Sequence, residues 1–210
     1  MAFCPNCDAE VADDALKCTK CGATFGPGSA WQPSLTKRSR ASETDGGPVY
    51  FSVSCSKFAV LSTLTLLIYT YYWFYQNWRF EKKDTGENLW PLPRTIFAPF
   101  FAYFLFDAVR AILKRHDLPV FDACLLALVF FAFNITWGLP DPYWLVSVFA
   151  FMPILPIQAA INQLNAKIAP DAPRNDRYTA ANIVVIVIGV VFWLLILAGM
   201  FFPENADALR

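Results

Sequence analysis

The sequence has little charge and a single histidine. Of 210 residues only 16% are charged and 56% are hydrophobic, against about 25% charged in a soluble globular chain. Such a chain has too few polar side chains to cover a soluble fold, and the composition is that of a membrane protein. His116 is the one histidine, which excludes catalysis by a multi-histidine metal centre. No P-loop, GxSxG elbow, HExxH pair or dinucleotide fingerprint occurs, so the common phosphate-binding, acyl-transfer and metalloprotease chemistries have no anchor here. Neither charge sign is in excess: Lys and Arg total 17, as do Asp and Glu. There is no global field to draw nucleic acid or an anionic surface from a distance. Residues 1–30 lack the apolar stretch of a cleaved signal peptide, so the N-terminus is expected to be retained. No repeat suggests a solenoid, and no inverted pair of hydrophobic segments suggests a transporter repeat.

What is present falls into three zones. Residues 1–26 hold four of the six cysteines; residues 27–49 are rich in Gly, Pro, Ser and Thr; residues 50–210 are strongly apolar. The middle zone cannot bury enough apolar surface to offset its ordering entropy and reads as a flexible linker. Its KRSR cluster at 37–40 lies close to Glu43 and Asp45, so its net charge is small and no nucleic-acid partner is expected from it.

Cys4-x2-Cys7 and Cys18-x2-Cys21 form two knuckles with ten residues between them. Each C-x-x-C turn presents two thiolates to one corner of a tetrahedron, and four sulfurs close the site against water, which points to one structural Zn2+. Two disulfides would need an oxidising compartment, and a rubredoxin-type iron site needs a longer intervening segment. Gly22 follows the second knuckle, where a positive φ is cheap, and Asp8 holds the equivalent place after the first. About 25 residues cannot fold on Val11, Leu16 and Phe25 alone, so metal binding must supply most of the folding free energy. Cys55 and Cys124 stand apart from this set.

FCPNCDAEV…KCTKCGATF resembles the short zinc-ribbon module at the N-terminus of many bacterial and archaeal membrane proteins, with Asp8 in place of the usual glycine. The resemblance covers about the first 26 residues and implies zinc ligation by Cys4, Cys7, Cys18 and Cys21. TLTLLIYTYYWFYQNWRF resembles the T-L-x-I-Y-x-x-Y-W-F-Y signature of small bacterial membrane domains of undefined activity. Together these imply a bacterial inner-membrane location.

Apolar segments in the third zone cover about 58–78, 95–113, 120–138, 143–163 and 180–202. A helix needs about 20 apolar residues to cross a ~30 Å hydrocarbon core. GLPDP at 138–142 reads as a tight hairpin, and Pro153 and Pro156 predict a kink in the fourth segment. In 58–78 the aliphatic part is short, and Tyr69, Tyr71, Tyr72, Trp73, Phe74, Tyr75 and Trp78 crowd one end, an arrangement expected at the headgroup level. That segment reads as a re-entrant hairpin or a short tilted span. Asp107 and Arg110, three residues apart, are expected to pair on one helix face near a helix end. Asn134 and Thr136 read as an interhelical hydrogen-bonding pair, and Gln158, Asn162, Gln163 and Asn165 as helix-end solvation.

The expected fold class is an all-α multi-pass membrane protein with a small N-terminal zinc ribbon. Zinc-bound thiolates place the N-terminus in the cytosol, and the charge distribution of the loops places the C-terminus outside. The expected role is a membrane-anchored interaction or scaffolding module without catalysis, whose partners are the lipid bilayer and a protein bound by the ribbon. The alternative is a small transporter or channel-like body with a regulatory ribbon.

Overall fold

The computed structural model describes residues 47–86 and 88–201, together with the backbone of Ala2–Phe3 and Glu10–Val11. The two short strands, β1 (Ala2–Phe3) and β2 (Glu10–Val11), pair antiparallel with Ala2 opposite Val11 and Phe3 opposite Glu10. The six residues connecting them carry Cys4 and Cys7.

The rest is mostly helical. A non-helical segment, Val49–Val53, leads into α1 (Cys55–Leu64), capped by the Ser54 hydroxyl, which accepts from Lys57 N at 3.3 Å. The first apolar segment is then not one helix. The chain turns at Leu66 and Leu67, both left-handed (φ 48° and 70°), and returns as α2 (Ile68–Thr85). Phe58 lies against both Tyr69 and Trp73, with ring centroids 6.2 and 5.9 Å apart, so α1 and α2 form a hairpin. Ten residues of helix reach only ~15 Å. Alone, α1 cannot cross a ~30 Å core.

The aromatic run of α2 is divided by the helical period. Trp73, Phe74 and Trp78 are fully buried with Asn77, Glu81 and Asp84, while Tyr72 and Arg79 are exposed. A helix of period 3.6 sends alternate pairs of a continuous aromatic run into the bundle and leaves the others on its outer face. Gly86, left-handed at φ 63°, ends α2 by donating to Lys82 O.

Two helices make up the second segment, α3 (Pro91–Ile96) and α4 (Ala98–Arg115), broken at Phe97. Pro99 in the first turn of α4 lacks the N–H that would continue α3. Helix α5 (Ala123–Ile135) starts at Asp122, whose carboxylate accepts from Leu125 N at 3.0 Å, and tightens into a 3-10 turn at Thr136–Gly138. After the hairpin, a 3-10 segment (Tyr143–Ile154) passes into α6 (Leu155–Ile168). The change of winding falls between Pro153 and Pro156, the two residues expected to kink it. Asn134 Nδ2 bonds Phe130 O and Thr136 Oγ1 bonds Phe133 O. Both groups therefore serve their own helix, which corrects the interhelical expectation.

The last helix, α7 (Ala180–Phe201), is 22 residues and ~33 Å long. Thr179 and Asn182 cap it reciprocally, each side chain accepting from the other's N–H. Among the described residues two helical stretches are long and apolar enough to cross a membrane, Tyr143–Ile168 and Ala180–Met200, with 56% and 6% of their apolar windows buried. The first is half core. The second meets the rest of the protein mainly at α1 and leaves residues such as Val184, Ile188 and Leu195 at about three-fifths exposure.

Candidate functional site

The non-helical segment Val49–Val53 is threaded through the bundle interior. Tyr50 and Val53 are fully buried, and the segment's backbone pairing is one isolated parallel bridge, Val53 with Asn175, in which Asn175 N donates to Ser52 O at 3.4 Å. A buried backbone without partners would cost about 1–3 kcal/mol per group. Side-chain amides of α2 and α6 supply those partners. Asn165 Oδ1 accepts from Val49 N and Tyr50 N at 3.0 and 3.4 Å, and its Nδ2 donates to Tyr50 O at 2.8 Å. Asn77 Oδ1 accepts from Phe51 N at 3.1 Å. Gln158 Nε2 donates to Phe51 O and Val53 O, Asn162 Nδ2 donates to Val53 O at 2.9 Å, and Trp73 Nε1 donates to Gln158 Oε1. Tyr50 Oη closes the network on Glu81 Oε2 at 2.8 Å. Three of the four amides expected to solvate a helix end are thus a clamp on the chain where the linker enters the bundle. Gln163, off that face, is exposed.

The turn of the α1–α2 hairpin is satisfied in the same way. Leu67 N donates to Ser62 O at 2.8 Å; Thr65 Oγ1 donates to Leu61 O at 2.7 Å and accepts from Tyr69 N at 3.0 Å. Trp193 Nε1 of α7 donates to Thr63 O at 2.9 Å, and a Cβ on Gly189 would overlap the Leu64 carbonyl. A broken helix inside a bilayer persists only when its freed backbone groups find partners. Gly189→Leu is expected to cost about 1–3 kcal/mol by overpacking this contact, read as a lower melting temperature in detergent. Gly199→Leu, where nothing lies within 4 Å, should leave the melting temperature unchanged.

Basic residues gather at the C-terminal ends of α2, α4 and α6. Lys167 Nζ donates to His116 O at 2.6 Å, joining the C-terminal ends of α6 and α4. Lys57, buried at the loop end of α1, donates to Asn175 Oδ1 at 2.8 Å and Arg177 O at 2.7 Å. Burial lowers the Lys57 pKa from its ordinary value and the Asp176 charge offsets part of that. Arg79, Lys82 and Lys83 line a solvent-open hollow of about 410 Å3 with Gly86. The 138–142 hairpin carries no Lys or Arg. Asp107 and Arg110 do pair, Arg110 Nε to Asp107 Oδ1 at 3.1 Å, with side chains 41% and 44% exposed, but they lie in the body of α4 and not near its end, because the helix continues to Arg115.

No family model, curated protein or solved structure matches the chain. The four cysteines Cys4, Cys7, Cys18 and Cys21 lie outside the described residues. Among the described residues no group of three or more His, Cys, Asp or Glu side chains could hold a metal. Cys55 and Cys124 are free thiols. The amide clamp was missed in the sequence, although Gln158, Asn162 and Asn165 fall at i, i+4 and i+7 on the face that also carries Ile161.

Proposed function

We propose that this chain is a membrane-anchored zinc-ribbon protein, an interaction or scaffolding module without catalytic activity of its own. The observation that carries the anchoring is α7, an apolar helix of 22 residues with 6% of its apolar window buried. In water that surface would be untenable, far above the few hundred Å2 of contiguous apolar patch a soluble monomer tolerates. In this reading Ala123–Gly138, Tyr143–Ile168 and α7 span the bilayer, the α1–α2 hairpin is re-entrant, and the basic end faces the cytosol. The linker leaves the bundle beside Glu81 and Asn165, at that same end, so the ribbon is held in the reducing compartment that zinc thiolates need. Loop 167–177 is then cytosolic, hairpin 138–142 faces out, and the C-terminus ends outside.

The non-catalytic reading is supported by how the interior amides are used. Asn77, Gln158, Asn162 and Asn165 bond backbone of the chain itself. The pair that a transport path would call on, Asp107 with Arg110, is exposed on α4.

The test is crosslinking of the full-length protein in its membrane, with bound proteins identified before and after chelation. A set of partners lost on chelation and lost in Cys18→Ser supports the reading. An unchanged set in Cys18→Ser removes the ribbon from recognition.

A further inference from the structure

We propose that the outward face of α2 seats an anionic phospholipid, its phosphate in the hollow lined by Arg79, Lys82 and Lys83. The inference rests on the membrane reading above and adds a ligand to it. Ile68, Tyr72, Tyr75, Arg79, Lys82 and Gly86 fall at i, i+4, i+7, i+11, i+14 and i+18, one continuous face of the helix. Ile68 is 72% exposed and Tyr72 43% exposed, Tyr75 is half-buried, and Arg79, Lys82 and Lys83 are exposed. Along this face the chemistry changes in the order of a phospholipid. The aliphatic Ile68 comes first, next to the hairpin turn; two tyrosines follow, the residue type that prefers the glycerol and headgroup level; the cations come last.

From Ile68 to Lys82 the stripe runs ~21 Å, the depth from one headgroup layer towards the middle of a ~30 Å hydrocarbon core. The opposite face of α2, with Trp73, Asn77 and Glu81, is closed inside the bundle, so this face is the one available to lipid. Arg79 lies 5.8 Å above the Tyr75 ring, a stacking contact that orients the guanidinium beside the aromatic belt. Arg79, Lys82 and Lys83, at i, i+3 and i+4, converge on one hollow instead of spreading around the helix. The negative C-terminal end of the α2 dipole, about half a charge, opposes an anion there, and the cationic charges of Arg79 and Lys82 exceed it. Gly86 carries no side chain into the hollow, and its Cβ position is open.

The full-length protein is reconstituted into nanodiscs of phosphatidylglycerol and phosphatidylcholine in equal amounts, and retained lipid is counted by native mass spectrometry. The expected result is enrichment of phosphatidylglycerol of about fivefold or more over the bulk ratio, at ~1 kcal/mol per surface cation. Arg79→Gln combined with Lys82→Gln should bring the ratio close to that of the bulk, while Lys114→Gln combined with Arg174→Gln, at the same end of the bundle, should keep it. No enrichment in the wild type, or an equal loss in both double variants, overturns a defined seat. Displacement of the retained lipid by excess inorganic phosphate overturns the lipid as the source of the phosphate. Retention of the protein in alkali-washed membranes is scored in parallel. Its failure breaks the membrane reading itself, whereas retention without enrichment breaks the lipid seat alone.

Discussion

Replacing Asn165 by leucine is expected to lower the stability of the detergent-solubilised protein by about 3–5 kcal/mol. The substitution removes the acceptor for Val49 N and Tyr50 N and the donor for Tyr50 O. Tyr50 is fully buried, so water cannot take over these bonds without opening the bundle. Each orphaned buried group costs about 1–3 kcal/mol, and a leucine of similar size repays little, since the site is already packed. Gln163→Leu, two residues away and exposed, is the control and should change stability by less than about 0.5 kcal/mol. Equal melting temperatures for the two variants would show that the 49–53 segment is not clamped in the interior.

Cys18→Ser has the larger expected effect, confined to the N-terminal module. Structural zinc in small thiolate sites contributes an apparent ~10–16 kcal/mol near neutral pH, and that binding energy is also folding energy. Loss of one of four thiolates should therefore unfold the ribbon. Elemental analysis of the reduced wild-type protein should give one zinc per chain, and the variant close to none. The variant should still fractionate with membranes, because the apolar helices begin beyond the linker. Wild-type protein without zinc, or an amide spectrum of the first thirty residues unmoved by chelator, would remove the ribbon from the account.

Much of the helical organisation was legible because its signals are local. The apolar run that became α7 reaches the ~20 residues a membrane-crossing helix needs, and the prolines of FMPILPIQ mark where the 3-10 segment gives way to α6. GLPDP is too short for anything but a hairpin. What the sequence hid depends on contacts between distant parts of the chain. Nothing adjacent to Asn165 indicates that residues 49–53, more than a hundred positions earlier, will lie against it. Its neighbours Lys167 and Gln163 suggested a solvated helix end, and the inward register of Gln158, Asn162 and Asn165 was the overlooked signal. A hairpin in this segment was one of the two readings, but its turn at Leu66 and Leu67 could not be placed, since leucine avoids left-handed conformations. The turn holds because Thr65, Trp193 and the absent side chain of Gly189 serve it from both sides. Gly189 and Trp193, four apart on α7, were the only trace of this in the sequence. The hollow on α2 needed the fold to show that Arg79, Lys82 and Lys83 share an outward face.

The central claim is a re-entrant α1–α2 hairpin with the basic end of the bundle in the cytosol, and side-specific labelling at Thr85 tests it most directly. Thr85 ends α2 within the basic end. Five complete spans would carry loop 79–94, with Arg79, Lys82, Lys83 and Arg94, to the outside, against the usual cytosolic excess of Lys and Arg. In a variant otherwise free of cysteine, the account predicts that Thr85→Cys reacts with a membrane-impermeant maleimide after permeabilisation and not in intact cells. Labelling in intact cells would contradict it.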